Sequence, residues 1–435
     1  MPAKLKTVTL GCKVNQYETE LVREGLLRSG YVDANDDRAA AADLCVVNTC
    51  TVTSEGDSKS RQIIRRLNRQ NPDARIVVMG CYATRDPDAV AELPGVSEVL
   101  TDKRELADLM GRFGVVDIPT GIGGMSNRHR AYVKIQDGCL LRCTYCIIPK
   151  VRPEMYSRGA DEVVAEVAGL VANGFREIVL TGIHLGHYGV DFNRGKPKSQ
   201  WLRLSHLVQR LVDLPGEFRI RLSSIEATEI TRELIDVMQS NPRRVCPHLH
   251  VCLQSGSDRI LSRMKRRWSR RHIIDRCRLI NEKLDQPAFS TDVIVGFPGE
   301  TDSDFEDTLD ACRQIGFSKI HMFPFSARAG TPAAEMEDQI PKQLKSERGK
   351  IVGQLENELR GQYFESLVGR ELQLLVERYD DGARQISGTT GRYAPTVVNV
   401  DETFQFSDVE GELLDVRAEQ AEPKKIMAKR CLATC

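Results

Sequence analysis

Short runs of aliphatic and β-branched residues alternate with longer stretches of helical periodicity along most of the chain. Residues 5–10, 43–48 and 75–79 read as strands, each followed by a helical segment, which is the pattern of an open parallel α/β sheet over residues 1–116. Residues 117–130 are rich in Gly and Pro and read as a linker. Beyond it, strands at 131–136, 177–180, 219–222, 248–253, 289–295 and 319–323 alternate with helices. Six β/α units predict a closed or partial (β/α)6 barrel over 131–365, with function at the C-terminal ends of its strands. The β-type runs at 372–377, 396–400 and 413–416, separated by Gly and Asp turns, predict a small OB-like β-barrel within 366–435. The fold class is thus a multidomain α/β protein.

Length and composition agree with that division. The chain has 435 residues, 41% hydrophobic and 28% charged, enough for about three globular domains. Its 61 basic and 61 acidic residues cancel, so attraction of a polyanion must come from local patches. Two runs supply them: Lys59, Arg61, Arg65, Arg66 and Arg69, then Arg263, Lys265, Arg266, Arg267, Arg270 and Arg271. The last domain is acidic up to residue 420, and Lys424, Lys425, Lys429 and Arg430 read as a basic tail. Apolar stretches fall short of the ~18 residues of a membrane span, and no secretory signal opens the chain, so a cytoplasmic protein is expected.

Thirteen cysteines, an odd number, point to metal or redox chemistry. Cys139, Cys143 and Cys146 form a C-x3-C-x2-C loop directly after the first barrel strand. Three thiolates on one loop hold three irons of a four-iron cluster and leave the fourth open to a chelator, for which S-adenosylmethionine is expected. A Cys3His zinc site completed by His129 or His184 is the alternative. Cys12, Cys50 and Cys81 each follow one of the first three strands, where the crevice of an open sheet lets distant residues converge. Cys45, Cys246, Cys252, Cys277, Cys312, Cys431 and Cys435 show no ligand-like grouping.

The loop 138–149 (GCLLRCTYCIIP) resembles the radical S-adenosylmethionine enzymes. Together with 10–18 (LGCKVNQYE), 47–53 (VNTCTVT) and 80–83 (GCYA), it is similar to the tRNA methylthiotransferases along nearly the whole chain, with a TRAM-like last domain. The resemblance implies two [4Fe-4S] clusters, the second on Cys12, Cys50 and Cys81. It also implies a cofactor pocket drawn from Tyr145, Thr181, Gly182, Gln254, Ser255, Gly256, Gly296 and Glu300. The implied partners are a tRNA anticodon stem-loop and an electron donor such as flavodoxin or ferredoxin, with the enzyme a monomer. Lys150, Pro153 and Cys252 depart from the usual pattern, and no acid–base catalyst is assigned; His184 and His187 read as structural or cofactor-lining.

Segments 12–18 and 181–186 resemble the branch acting on N6-threonylcarbamoyladenosine. That substrate carries a carboxylate and a hydroxyl, for which Lys150, Arg152, Arg158, His184 and His187 offer partners. Isopentenyl-adenosine tRNA, a ribosomal protein side chain, or a plain iron–sulfur electron carrier with an RNA-binding module are the competing readings.

Overall fold

The computed structural model describes residues 2–35, 41–401 and 404–431; Cys435 lies outside the described residues. Five parallel strands build the first layer: β1 (Lys4–Thr9), β2 (Val32–Asp33), β3 (Leu44–Thr49), β4 (Arg75–Gly80) and β5 (Val96–Val99), ordered β2-β1-β3-β4-β5. The runs in β3 and β4 are almost unbroken because both faces are covered. Helix α1 (Lys13–Arg28) packs Val22 and Leu26 on Val46, Val77 and Met79, while α2 (Ser54–Gln70) packs Ile64 and Leu67 on Cys45, Val47, Ile76 and Val78.

The second domain holds β6 (Arg130–Asp137), β7 (Tyr156–Ser157), β8 (Glu177–Gly182), β9 (Arg219–Leu222), β10 (Ser224–Ile225), β11 (His248–Val251), β12 (Ala288–Val295) and β13 (Lys319–Pro324). They form two four-stranded sheets, β7-β6-β8-β9 and β10-β11-β12-β13, joined by a parallel bridge from Ile220 to Val245. All six predicted strands are present, and among the described residues no ladder joins β13 to β6, so the barrel stays partial. Along β6, Ala131, Val133 and Ile135 join the apolar core beneath the helices, and the alternation turns Lys134 and Gln136 into the barrel.

The last domain is a closed five-stranded barrel: β14 (Glu371–Asp380), β15 (Gln385–Thr390), β16 (Pro395–Asn399), β17 (Leu413–Ala421) and β18 (Ile426–Arg430), ordered β14-β15-β16-β18-β17. Two of these strands escape the sequence pattern. In β15 the sequence QISGTT has one large aliphatic residue, and in β18 the inward positions are Ile426 and Ala428. The predicted basic tail is therefore corrected: Lys429 and Arg430 lie in the strand that closes the barrel, and Lys429 pairs with Glu419 at 2.8 Å.

Buried charges fix this barrel to the N-terminal ends of the strands. Glu177 pairs with Arg219 at 2.6 Å and Arg221 at 2.7 Å. The remaining guanidinium N–H groups donate to the carbonyls of Gln373, Thr389, Thr390 and Gly391, and Arg130 pairs with Glu377 at 2.6 Å. Cations that would be costly alone are each matched by an anion or a carbonyl.

A second buried network joins the first layer to the rim at the other end of β6. Lys134 reaches Glu18 at 2.8 Å and Asp137 at 2.5 Å; Arg152 reaches Glu18 at 2.8 Å, Asp137 at 2.6 Å and Asn15 at 2.9 Å. Residues 117–130 follow the same contact. The Gly123 and Gly124 N–H groups donate to Glu24, Ser126 donates to Glu20, and Ile122 and Met125 are buried, so the Gly-rich segment is packed. Arg328, after β13, pairs with Asp57 of α2 at 2.5 Å and donates to Thr51.

Removing one anion from the Glu18 network leaves two buried cations short of a partner. Glu18→Gln should cost about 3–5 kcal/mol, read as a lower denaturation midpoint and faster protease cleavage within 117–130. Burial alone would raise the Glu18 and Asp137 pKa values, but Arg152 and Lys134 hold both below the ordinary carboxylate range. Their stabilisation is present above about pH 4 and is lost only as pH falls below it. Resistance of the segment to protease should be flat from about pH 8 to pH 5; loss already at pH 6 would contradict this.

Candidate active site

The sheet order makes β1, β3 and β4 neighbours, so Cys12, Cys50 and Cys81 emerge side by side at their C-terminal ends. Cys12 stands at the N-cap of α1, where burial pushes its thiol pKa up and Arg152 opposes the shift. Gly11, at φ +94°, is needed on two counts: the angle is left-handed, and a Cβ would lie 2.9 Å from Cys50 Sγ. Asn15 braces the loops, donating to the carbonyls of Leu10 at 2.8 Å and Thr49 at 3.0 Å. Lys103 Nζ lies 3.3 Å from Cys81 Sγ.

The loop carrying Cys139, Cys143 and Cys146 follows β6. The Thr144 N–H donates to the Met264 carbonyl at 3.1 Å and its hydroxyl to Arg263 at 2.9 Å, which docks the 263–268 segment on the loop. Arg266 Nη1 is thereby placed 3.6 Å from Cys143 Sγ, with Nη2 paired to Glu226 at 2.5 Å. On the other side His184 Nδ1 lies 3.3 Å from Cys139 Sγ while Nε2 bonds Glu229 at 2.7 Å. His187 stacks on His184 with ring centroids 3.7 Å apart and reaches Glu229 at 3.2 Å. Burial raises the pKa of the Cys143 and Cys146 thiols, the latter to about 12, so metal binding must displace their protons.

The two cysteine regions are in contact. Cys81 packs against Ile147 and Val151 of the loop. A cavity of about 200 Å³ is lined by the three loop cysteines with Tyr145, His184, Gln254 and Arg266. A second, of about 270 Å³, shares Tyr145, Cys146, Ile148 and Gln254 and is closed by Val52 and Thr53, directly after Cys50.

The donor spacing bears on the metal. Among the described residues, His184, His187 and Glu229 are the one group whose ligand atoms all lie within 4.8 Å of one another. Three thiols on one loop suit three irons of a four-iron cluster with the fourth iron left open. His129, one of the two candidate fourth zinc ligands, lies 3.9 Å from Glu410 of the last domain.

Comparison with known proteins agrees with this layout. The model of the radical SAM superfamily matches residues 133–312, and that of the uncharacterized protein family UPF0004 matches residues 4–101. The Bacillus subtilis threonylcarbamoyladenosine tRNA methylthiotransferase MtaB is 41% identical over 388 residues, spanning 85% of this chain and 84% of its own. Its Chlamydia pneumoniae counterpart is 40% identical over 86% of each chain. The chain belongs to the tRNA methylthiotransferase family. A tRNA-2-methylthio-N(6)-dimethylallyladenosine synthase from Carboxydothermus hydrogenoformans is 32% identical over 94% of this chain and 95% of its own. Among solved structures, the radical S-adenosylmethionine methyltransferase TsrM from Kitasatospora setae shares the fold with TM-score 0.55 and 16% identity over 77% of each chain.

In this methylthiotransferase the cofactor residues expected from sequence divide. Tyr145 and Gln254 line both cavities, and Thr181 and Gly182 end β8 beside Gln136, just before His184. Ser255 and Gly256 instead pack on the helix Asp302–Ile315, with Ser255 Oγ 3.3 Å from the Thr308 hydroxyl. The Gly296 N–H donates to Glu300, whose carboxylate is held by Arg348 at 2.6 Å. Missed from sequence were Glu226 and the cluster-facing place of Arg266, which looked like one more cation in a basic run. That run is largely paired: Arg263 with Asp338, Arg266 with Glu226, Arg270 with Asp307. Arg152 and Arg158 are also corrected as substrate partners, since Arg152 is locked to Glu18 and Asp137 and Arg158 to Glu166 at 2.6 Å.

Gly138, at φ +71°, would place a Cβ 1.9 Å from the Glu154 carbonyl oxygen, so the loop entry tolerates no side chain. Gly138→Ala should lower the iron retained by the purified protein toward that of a Cys139→Ala variant. Iron content equal to the parent protein would contradict the close approach.

Proposed function

We propose that the protein adds a methylthio group to N6-threonylcarbamoyladenosine beside the anticodon of tRNA. The observation that carries this reading is the pair of adjoining cavities, walled by the loop cysteines on one side and by the residues after Cys50 on the other. Identity of 35–41% to threonylcarbamoyladenosine enzymes, against 32% to dimethylallyladenosine ones, supports the substrate branch.

In this reading Cys139, Cys143 and Cys146 hold one [4Fe-4S] cluster with an open iron, and Cys12, Cys50 and Cys81 hold the second. Tyr145, Thr181, Gly182 and Gln254 border the place of S-adenosylmethionine. Bound there, the first cluster and S-adenosylmethionine supply radical chemistry, and the second cluster supplies sulfur. The chain contributes shelter and placement: Ile148, Ile294 and Phe325 give the second cavity an apolar wall that excludes water. A base must leave its stack to enter. With Arg152 and Arg158 committed to buried pairs, Lys150 is the one of the three candidate cations still exposed for a carboxylate. Arg65, Arg66 and Arg69 of α2 are exposed on the domain that carries Cys50 and suit phosphate contacts. An electron donor such as flavodoxin or ferredoxin, a monomeric enzyme and a cytoplasmic location complete the proposal; no helix of the described residues is long and apolar enough to cross a membrane.

Alanine at Cys139, Cys143 and Cys146 should leave about half the iron and abolish cleavage of S-adenosylmethionine. Alanine at Cys12, Cys50 and Cys81 should keep cleavage and stop methylthiolation. Reduced, reconstituted enzyme should modify an anticodon stem-loop bearing N6-threonylcarbamoyladenosine. Modification of an isopentenyl-adenosine stem-loop alone would overturn the substrate assignment.

A further inference from the structure

Each thiol trio meets a charged side chain, but the contact at Cys139 is the most completely built. His184 is buried, and three neighbours fix its ring. Glu229 accepts from Nε2 at 2.7 and 2.8 Å, His187 stacks on one face at 3.7 Å, and the His184 backbone N–H donates to Gln136 Oε1 at 2.8 Å. Gly186 makes room for this arrangement, because a Cβ there would lie 2.0 Å from Glu229 Oε2. The ring is thus aimed, with Nδ1 3.3 Å from Cys139 Sγ.

The proton inventory decides the direction of that contact. A carboxylate only accepts, so Nε2 carries a proton and donates it to Glu229. A thiolate bound to iron has no proton to give, so Nδ1 meets it as a donor. Hydrogen bonds to cluster sulfurs and positive charge beside them favour the more negative, reduced cluster. Arg266, 3.6 Å from Cys143 Sγ, acts in the same sense from the opposite side.

We propose that His184, aimed by Glu229, is a positioning residue that raises the reduction potential of the cluster on Cys139, Cys143 and Cys146. This rests on the cluster assignment above. The role is separate from binding iron and from touching the substrate base: it sets how readily a one-electron donor reduces that cluster.

The test is a redox titration of the reconstituted full-length protein, followed by electron paramagnetic resonance. The signal that changes on adding S-adenosylmethionine identifies the relevant cluster. His184→Phe should lower its midpoint so that about tenfold less cluster is reduced at a fixed potential, roughly 59 mV for a one-electron couple. His184→Gln, which keeps an N–H donor, should recover part of the shift at equal iron content. If His184→Phe fails to hold iron, comparison of His184→Gln with the parent carries the test, and a lower midpoint is still expected. Unchanged midpoints in variants that hold the cluster overturn the proposal. Absence of any signal responsive to S-adenosylmethionine in the parent protein would instead overturn the cluster assignment on which it rests.

Discussion

Four buried charges, Glu18, Lys134, Asp137 and Arg152, hold the first layer against the rim of the barrel. Two anions and two cations cancel, and Arg152 donates to Glu18, Asp137 and Asn15 at once. Such a network adds little net stability over an apolar contact of the same shape, but it tolerates only one register. Here register is what matters. Asn15 and Glu18 lie in the first turns of α1, immediately after Cys12, so fixing them fixes the mouth of the first crevice. Asp137 ends β6, immediately before the loop of Cys139, so the same charges hold both cysteine trios.

The strands carry the division of labour from there. Cysteine loops sit at the C-terminal ends of β1, β3, β4 and β6, whereas the five-stranded barrel is held to the N-terminal ends of β6, β8 and β9 through Glu177, Arg219 and Arg221. The two trios are therefore carried by the first two domains, and the third is anchored at the far end of the strands.

Much of this was legible from residues alone, for physical reasons that can be named. Parallel strands covered on both faces leave unbroken apolar runs, so β3, β4 and β12 stand out. Residues just beyond such strands gather at one crevice, so strand-end position alone groups Cys12, Cys50 and Cys81. Ser255, Gly256, Gly296 and Glu300 stand at the same strand ends, and their contacts run to the helices Asp302–Ile315 and Lys342–Glu365. Arg152 and Arg266 were illegible. Their partners Glu18 and Cys143 lie 134 and 123 residues away, and local sequence holds no trace of a pairing at that range. Strands β15 and β18 were lost because Gly388 and Ala428 blunt the alternation.

The central claim is that one buried salt network holds the two cysteine trios next to each other. The most direct measurement is the magnetic interaction between the two clusters in the fully reduced protein, observed by electron paramagnetic resonance. Coupled signals are expected in the parent protein, separating into two independent signals when Glu18→Gln loosens the contact. Two uncoupled signals in the parent protein would contradict the account.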